Sequence, residues 1–215
     1  MSRTSHRQRI HDAIRIRILN AEIKHEDRLI DTVIAAEMGV SRMPVREALM
    51  QLVSEGYLEG TSRGFSLPNL SHERVLDTYL LRRLLEPHAA ASAAQARSEE
   101  ALEQMRAAVA DSAATLETGA FEPFIRASEV FRNLWLGEAP NPELRAAIQR
   151  LSGQVHTVRL ATMRDAEAHR TVIAGQHALL DAIIRRDAIA AADCTLRYVL
   201  AGEASYRKQN IDTAN

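Results

Sequence analysis

Cysteine is nearly missing from this sequence: among 215 residues only Cys194 carries a thiol. A lone cysteine has no partner within the chain, which excludes a disulfide scaffold. Aromatic residues are scarce, at 4% against 46% hydrophobic residues in all. Beside long Ala- and Leu-rich stretches, that scarcity favours helices over sheets. No stretch approaches the roughly 18 apolar residues of a membrane span, and residues 1–19 lack the uninterrupted apolar run of a secretory signal. The expectation is a soluble, cytoplasmic chain that makes no use of a membrane. Neither sign of charge dominates, since the net charge is −1, and with this hydrophobic content the chain is not disordered as a whole. Equally absent are a dense carboxylate–histidine constellation, a His-x-x-x-His pair, a nucleophile elbow and a Gly-rich phosphate loop. These absences argue against an enzyme, and the form that remains as an alternative is a metal-dependent helical-bundle enzyme.

Charge is unevenly spread. Residues 1–20 hold Arg3, Arg7, Arg9, Arg15 and Arg17 against Asp12 alone, so a basic leading segment precedes an acidic remainder. Such a segment suits a polyanion-binding arm, although a solvated helix face is the commoner origin of the pattern.

The first 67 residues have their own organisation. Ile10, Ala13, Ile14 and Leu19 mark a first helix over 6–19. Asp31 is a candidate N-cap for a short helix over 32–38 that ends at Gly39, and Ser41 is one for a third helix over 42–55 closed by Gly56. Residues 57–59 and 65–67 are short strand candidates around a turn-rich tip, 60–64. A helix, two helices joined by a Gly-containing turn and a small hairpin wing together make a winged helix-turn-helix. Val45, Leu49 and Leu52 repeat along one face of the third helix, while Arg42 and Arg46 lie off that face near its N-terminal end. Recognition helices present that end to base edges, and either arginine suits bidentate pairing with guanine O6 and N7.

Pro68 marks a boundary, because it lacks an amide donor and disfavours helix in the residue before it. The expected division is a winged helix-turn-helix over 1–67, a linker over 68–70, a helical domain over 71–207 and a polar tail over 208–215. Helices are expected over 71–95, 99–117, 121–137, 142–165, 168–186 and 188–207, with Ser98 and Asn141-Pro142 as start signals. No strand is expected after residue 67, so the fold class is mainly α with a C-terminal all-helical bundle.

The run Gly39-Val40-Ser41-Arg42-Met43-Pro44-Val45-Arg46-Glu47-Ala48-Leu49, with Leu52, Glu55 and Gly56, resembles the DNA-binding signature of GntR-family transcription regulators. Leu81-Arg82-Arg83-Leu84-Leu85-Glu86 and His177-Ala178-Leu179-Leu180-Asp181-Ala182-Ile183 resemble the opening and closing hallmarks of the helical FCD effector domain of the FadR-type branch. The resemblance implies a ligand-responsive homodimer, usually a repressor, that binds double-stranded DNA at an imperfect palindrome. It implies DNA contacts from Arg42 and Arg46, phosphate contacts from Thr32 and Ser41, and a wing tip at Arg63 and Gly64 that enters the minor groove. Met43 departs from the usual threonine, and Ala21, His25 and Glu26 depart from the usual Gly…Pro-Gly turn. An architectural protein binding DNA without sequence preference is the alternative.

Many FCD domains hold a metal through an Asp, a His one turn later and two further histidines. Matched onto this chain, those positions are Ser128, Arg132, His177 and Val199, so the resemblance implies that the metal site is lost. A guanidinium has no lone pair to give and is permanently charged. The expectation is therefore no metal cofactor and a small carboxylate-type effector anchored by Arg132, with Arg82, Ser128 and His177 in support. Two alternatives stand beside it. Arg82 and Glu86 are an i, i+4 pair suited to bracing their helix, and His156 and His169 are candidate substitute ligands for a metal-dependent member.

Overall fold

A computed structural model describes residues 6–20, 22–69, 71–162 and 166–212, the side chains at 157, 159–162 and 209–212 excepted. Arg3 of the basic segment, Ala21 of the departing turn, Leu70 of the expected linker, residues 163–165 of an expected helix and residues 213–215 of the tail lie outside them. The chain divides into two compact units, one holding residues 1–72 with 149–156, the other 73–148 with 157–215.

In the first unit three helices, α1 (His6–Leu19), α2 (Asp31–Met38) and α3 (Arg42–Ser54), precede a hairpin of β1 (Glu59–Thr61) and β2 (Gly64–Ser66). Ile10, Ile14 and Ile18 of α1 meet Ile34 and Ala35 of α2 and the stripe Val45, Ala48, Leu49 and Leu52 of α3. All four α3 residues are 0% exposed, and burying each large one contributes about 1.5–3 kcal/mol. Gly39 ends α2 in a left-handed conformation (φ 63°), and Gly56 follows α3 at φ 77°, as the sequence leads one to expect.

Several local expectations shift. Ile30, not Asp31, holds the N-cap position of α2, and Ser41 occupies the cap position of α3 without a side-chain capping bond. The hairpin pairs Glu59 with Ser66 and Thr61 with Gly64, not the strands expected at 57–59 and 65–67. Tyr57 and Leu58 are both buried, so they complete the core where strand alternation would expose one of them. The tip is tied by Thr61 Oγ1, which accepts from the Arg63 amide (3.2 Å) and donates to the Gly64 carbonyl (3.0 Å). Leu29 bridges Phe65 through both backbone bonds, 2.8 and 2.9 Å. Gly64 has φ 117°, and a Cβ there would lie 2.6 Å from the Leu29 carbonyl oxygen, so only glycine fits this join.

The second unit is built from α4 (His72–Ala96), α5 (Glu99–Thr118), α6 (Phe121–Gly137), α7 (Pro142–Gln149), α9 (Ala166–Ile184) and α10 (Ala188–Asp212), with the later residues of α8 (Ser152–Thr162), whose first five belong to the first unit. Ser98 caps α5 by accepting from the Ala101 amide (3.2 Å), and Asn141 caps α7 by accepting from Glu143 and Leu144 (3.0 and 3.1 Å). Small alanines of α4, Ala89, Ala90, Ala93 and Ala94, let it pack closely on a core that includes Met105, Phe131, Trp135 and Ile183. The helix expected over 142–165 is two helices. The Gly153 amide donates to the Glu55 carbonyl (3.2 Å), outside the helical ladder, and the turn at 150–151 marks the break. The polar tail expected from residue 208 continues α10 as helix through Asp212.

Candidate DNA-reading surface and effector cavity

Thr32 is the second residue of α2, Ser41 precedes α3, Arg42 and Arg46 occupy its first turns, and Arg63 is at the hairpin tip; all are exposed, while Gly64 is half-buried. The helix-turn-helix therefore brings Thr32, Ser41, Arg42 and Arg46 together on two successive helices. Asp31 joins them: Arg42 Nε lies 3.0 Å and Arg46 Nη1 3.4 Å from its Oδ2. Burial pushes the Asp31 carboxyl up, but the Arg42 bond and charge, with help from Arg46, hold it below its ordinary value. Met43 stands 65% exposed between the arginines. The basic leading segment is partly structural, since Arg15 stacks 5.6 Å from the Tyr57 ring centre and Arg17 faces Glu22.

Behind this surface α1 is clamped to the end of α3. His11, 4% exposed, bonds Glu55 Oε2 through Nε2 (2.8 Å) and Asp12 Oδ1 through Nδ1 (2.9 Å). A neutral imidazole has one N–H, so only the protonated ring donates to both. The Glu55 bond raises the His11 pKa, burial partly offsets it, and Asp12 adds to the rise.

In the second unit a cavity of about 420 Å³, open space at its mouth included, is enclosed by α4, α6, α9 and α10. Its polar lining is Glu86, Ser128, Arg132, Gln176, Thr195 and Tyr198, and Phe131, Trp135 and Leu179 supply apolar walls. Glu86 is 1% exposed and accepts from Arg82 Nε (2.9 Å) and from Arg132 Nη2 (2.8 Å). Burial opposes its charge, yet Arg82 and Arg132 together lower its pKa to about 2. Gln176 Nε2 donates to Ser128 Oγ (2.8 Å). Two buried atoms here have no hydrogen-bond partner among the described residues: Arg132 Nε, a donor, and Gln176 Oε1, an acceptor.

Of the four effector candidates, Ser128 and Arg132 line this cavity. Arg82 does not; it is buried beside Glu86 and the Tyr79 ring, which is the bracing role of an i, i+4 pair. His177 is exposed, because the buried face of α9 runs through Val172, Ile173, Gln176, Leu179, Leu180 and Ile183. Val199 is likewise out of register: it is 0% exposed core, and Tyr198 faces the cavity. Of the matched positions Ser128, Arg132, His177 and Val199, the first two line the cavity, and Gln176 and Tyr198 line it in place of the other two. Those four lining residues do not fit a metal, since they include no histidine and one is a permanent cation. The substitute ligands are otherwise engaged: His169 bonds Thr115 (2.8 Å) and lies on Phe124, and His156 packs near Tyr57. Among the described residues no group of three or more His, Cys, Asp or Glu is placed to hold a metal ion, and no helix is long and apolar enough to cross a membrane.

Sequence reasoning missed Asp31 as a partner of the arginines and missed Gln176 and Tyr198. The helical period carried the signal for Gln176, which falls on the apolar stripe of α9 one residue before the more conspicuous histidine.

Comparison with known proteins agrees with this architecture. Residues 6–64 match the gntR family of bacterial regulatory proteins and residues 77–201 match the FCD domain. An HTH-type transcriptional regulator of Bacillus subtilis, YdhC, is 24% identical over 81% of this chain and 79% of its own. The gluconate operon transcriptional repressor of the same organism is 36% identical over 40% of this chain and 35% of its own. The solved structure of E. coli McbR/YncC superposes with a TM-score of 0.76 at 22% identity, covering 98% of this chain and 100% of that one. With a recognition helix and wing in its first unit and an FCD domain filling most of its second, the chain belongs to the GntR family of DNA-binding transcription regulators and is not an enzyme.

Proposed function

We propose that this regulator is a homodimeric repressor that reads an imperfect palindromic operator and releases it when a small carboxylate enters the α4–α6–α9–α10 cavity. Two-fold related recognition helices read two-fold related half-sites, which gives the operator its symmetry. Arg42 and Arg46 read guanine, Met43 supplies an apolar surface for a thymine methyl, Thr32 and Ser41 hold phosphates, and Arg63 with Gly64 brings the wing to the minor groove. Chromosomal DNA as target makes the cytoplasm its place of work.

The observation that carries the effector assignment is the pair Arg132 Nε and Gln176 Oε1, unpartnered among the described residues, on residues 8% and 5% exposed. A buried polar atom without a partner is costly, and a ligand that accepts from one and donates to the other relieves both. Arg82, Glu86 and Arg132 leave one net positive charge at the site, which suits a monoanion better than a dianion. A carboxylate accepts from Arg132, a neighbouring hydroxyl or amine donates to Gln176, and the carbon skeleton rests on Phe131, Trp135 and Leu179. The guanidinium supplies the positive charge that a metal supplies in relatives. Ligand control then requires that the acid bind the DNA-free arrangement more tightly than the DNA-bound one.

Trp135 is the only tryptophan and lines the cavity, so its fluorescence reports occupancy. Titration with monocarboxylates of two to six carbons, with and without a 2-hydroxyl, is expected to give a saturable change that weakens bound operator. Arg132→Met removes that response. A response that survives in Arg132→Met, or one that depends on added divalent metal, overturns the arginine-anchored reading.

A further inference from the structure

The two arginines assigned to base reading are both tethered. Each is gripped through one nitrogen by the same oxygen, Asp31 Oδ2, at 3.0 Å from Arg42 Nε and 3.4 Å from Arg46 Nη1. The Asp31 side chain is 9% exposed, while those of Arg42 and Arg46 are 58% and 55% exposed. A recessed anion thus holds two solvent-facing guanidinium groups. The grip leaves Arg42 its Nη1–Nη2 pair and Arg46 its Nε–Nη2 edge. Each free edge is a two-donor fork of the kind that matches guanine O6 and N7.

We infer that Asp31 is a positioning residue for sequence reading: it orients Arg42 and Arg46 with their two-donor edges free and restrains them from binding arbitrary phosphates. Two effects act together. Fixing long, flexible side chains before binding removes part of the ordering cost that a specific contact otherwise bears. The Asp31 charge also offsets one of the two positive charges, and non-specific affinity grows with the number of phosphates a surface neutralises. Asp31 therefore favours the operator relative to random DNA. This inference rests on the assignment of Arg42 and Arg46 as base contacts.

The competing role is purely local, because Asp31 also accepts from the Thr32 backbone at the start of α2. Asp31→Asn and Asp31→Ser separate the two, since both retain a side-chain acceptor for that amide while losing the charge. The full-length protein is used to select a tightly bound duplex from a randomised pool. Affinities for that duplex and for a scrambled duplex of equal length are then compared at one fixed salt concentration. Asp31→Asn is expected to lower the ratio of the two by about tenfold, chiefly through tighter binding of scrambled DNA. Asp31→Glu recovers part of the ratio, and the thermal midpoints of the variants stay together. A ratio within twofold of the unsubstituted protein in both Asp31→Asn and Asp31→Ser overturns the inference. Arg42→Ala and Arg46→Ala, measured on the same duplexes, keep the two ideas apart. If they lower the ratio and the Asp31 variants do not, Asp31 alone loses its role; if they too leave it unchanged, the base-reading assignment fails with it.

Discussion

Two of the acids that are shared by a pair of arginines, Asp31 and Glu86, sit in opposite surroundings. In the DNA-reading unit Asp31 holds Arg42 and Arg46, whose side chains are more than half exposed. In the second unit Glu86 holds Arg82 and Arg132, and all three side chains are at most 10% exposed. Water screens the first cluster, so each of its pairs contributes about 0–1 kcal/mol and yields readily to a stronger partner. The second is cut off from water, where losing one member leaves charge that nothing compensates. Exposure therefore separates the two: the outer cluster is free to exchange partners, as the proposed reading of DNA requires, and the inner one is a fixed frame beside the cavity proposed for the effector.

The most severe way to break the comparison is to remove the acid from each cluster. Glu86→Gln keeps the shape of the side chain but leaves two buried guanidinium groups facing each other. It is expected to destabilise the second unit by about 3–5 kcal/mol, read as a lowered denaturant midpoint by Trp135 fluorescence. Asp31→Asn is expected to change unfolding of the protein by no more than about 0.5 kcal/mol. Equal losses for the two would show that burial does not separate the clusters. Glu86→Gln combined with Arg132→Met should recover part of the stability, because one of the uncompensated charges goes with it.

Removing an arginine sharpens the contrast at a smaller scale. Arg42→Ala is expected to weaken operator binding by about 1–3 kcal/mol, with fold stability unchanged within about 0.5 kcal/mol. Competition binding on the selected and scrambled duplexes, beside a urea melt, checks both halves. A large loss of stability with retained discrimination would make Arg42 a structural residue of the kind that Arg82 is.

What the sequence revealed differs between the two clusters for a physical reason. The winged helix-turn-helix was legible because its signals are local: a glycine that ends α2, a stripe on α3 at helical spacing, a turn before the wing. Arg42 and Arg46 stood out because they break that stripe. Their tie to Asp31 was not legible, since Asp31 lies on another helix and its residue type is equally apt for a cap. In the bundle, Ser128 and Arg132 were legible from one helix, whereas Gln176 and Tyr198 required the rotational setting of α9 and α10. That setting is decided by packing, and an error of one residue moves a side chain by about 100° around the helix. His177 and Val199 were misplaced by such a step. The break between α7 and α8 was hidden for a similar reason, since it turns on a backbone bond from Gly153 to Glu55, far apart in sequence.

Between the two extremes lies the clamp of His11 with Glu55 and Asp12, where the histidine is buried and both acids keep some exposure. Its response to pH should be opposite in direction to that of Glu86. The His11 pKa is raised on folding, so its contribution is complete below the unfolded value near 6.5 and is lost as pH rises through the folded value. Glu86, lowered to about 2, contributes above its ordinary value near 4.5 and loses that contribution only as pH falls toward 2. Glu55 is also lowered, because its bonds to His11 and Gln51 and the nearby Arg15 charge outweigh the cost of burial. It therefore adds an acid-side loss to the clamp. Amide hydrogen exchange along α1, corrected for intrinsic rates, should show protection that falls as pH rises above about 6.5. Over the same range the unfolding midpoint reported by Trp135 should be flat. His11→Gln should flatten the α1 profile as well, since an amide in that place has no proton to lose. A profile that keeps its slope in His11→Gln would assign the titration to another group.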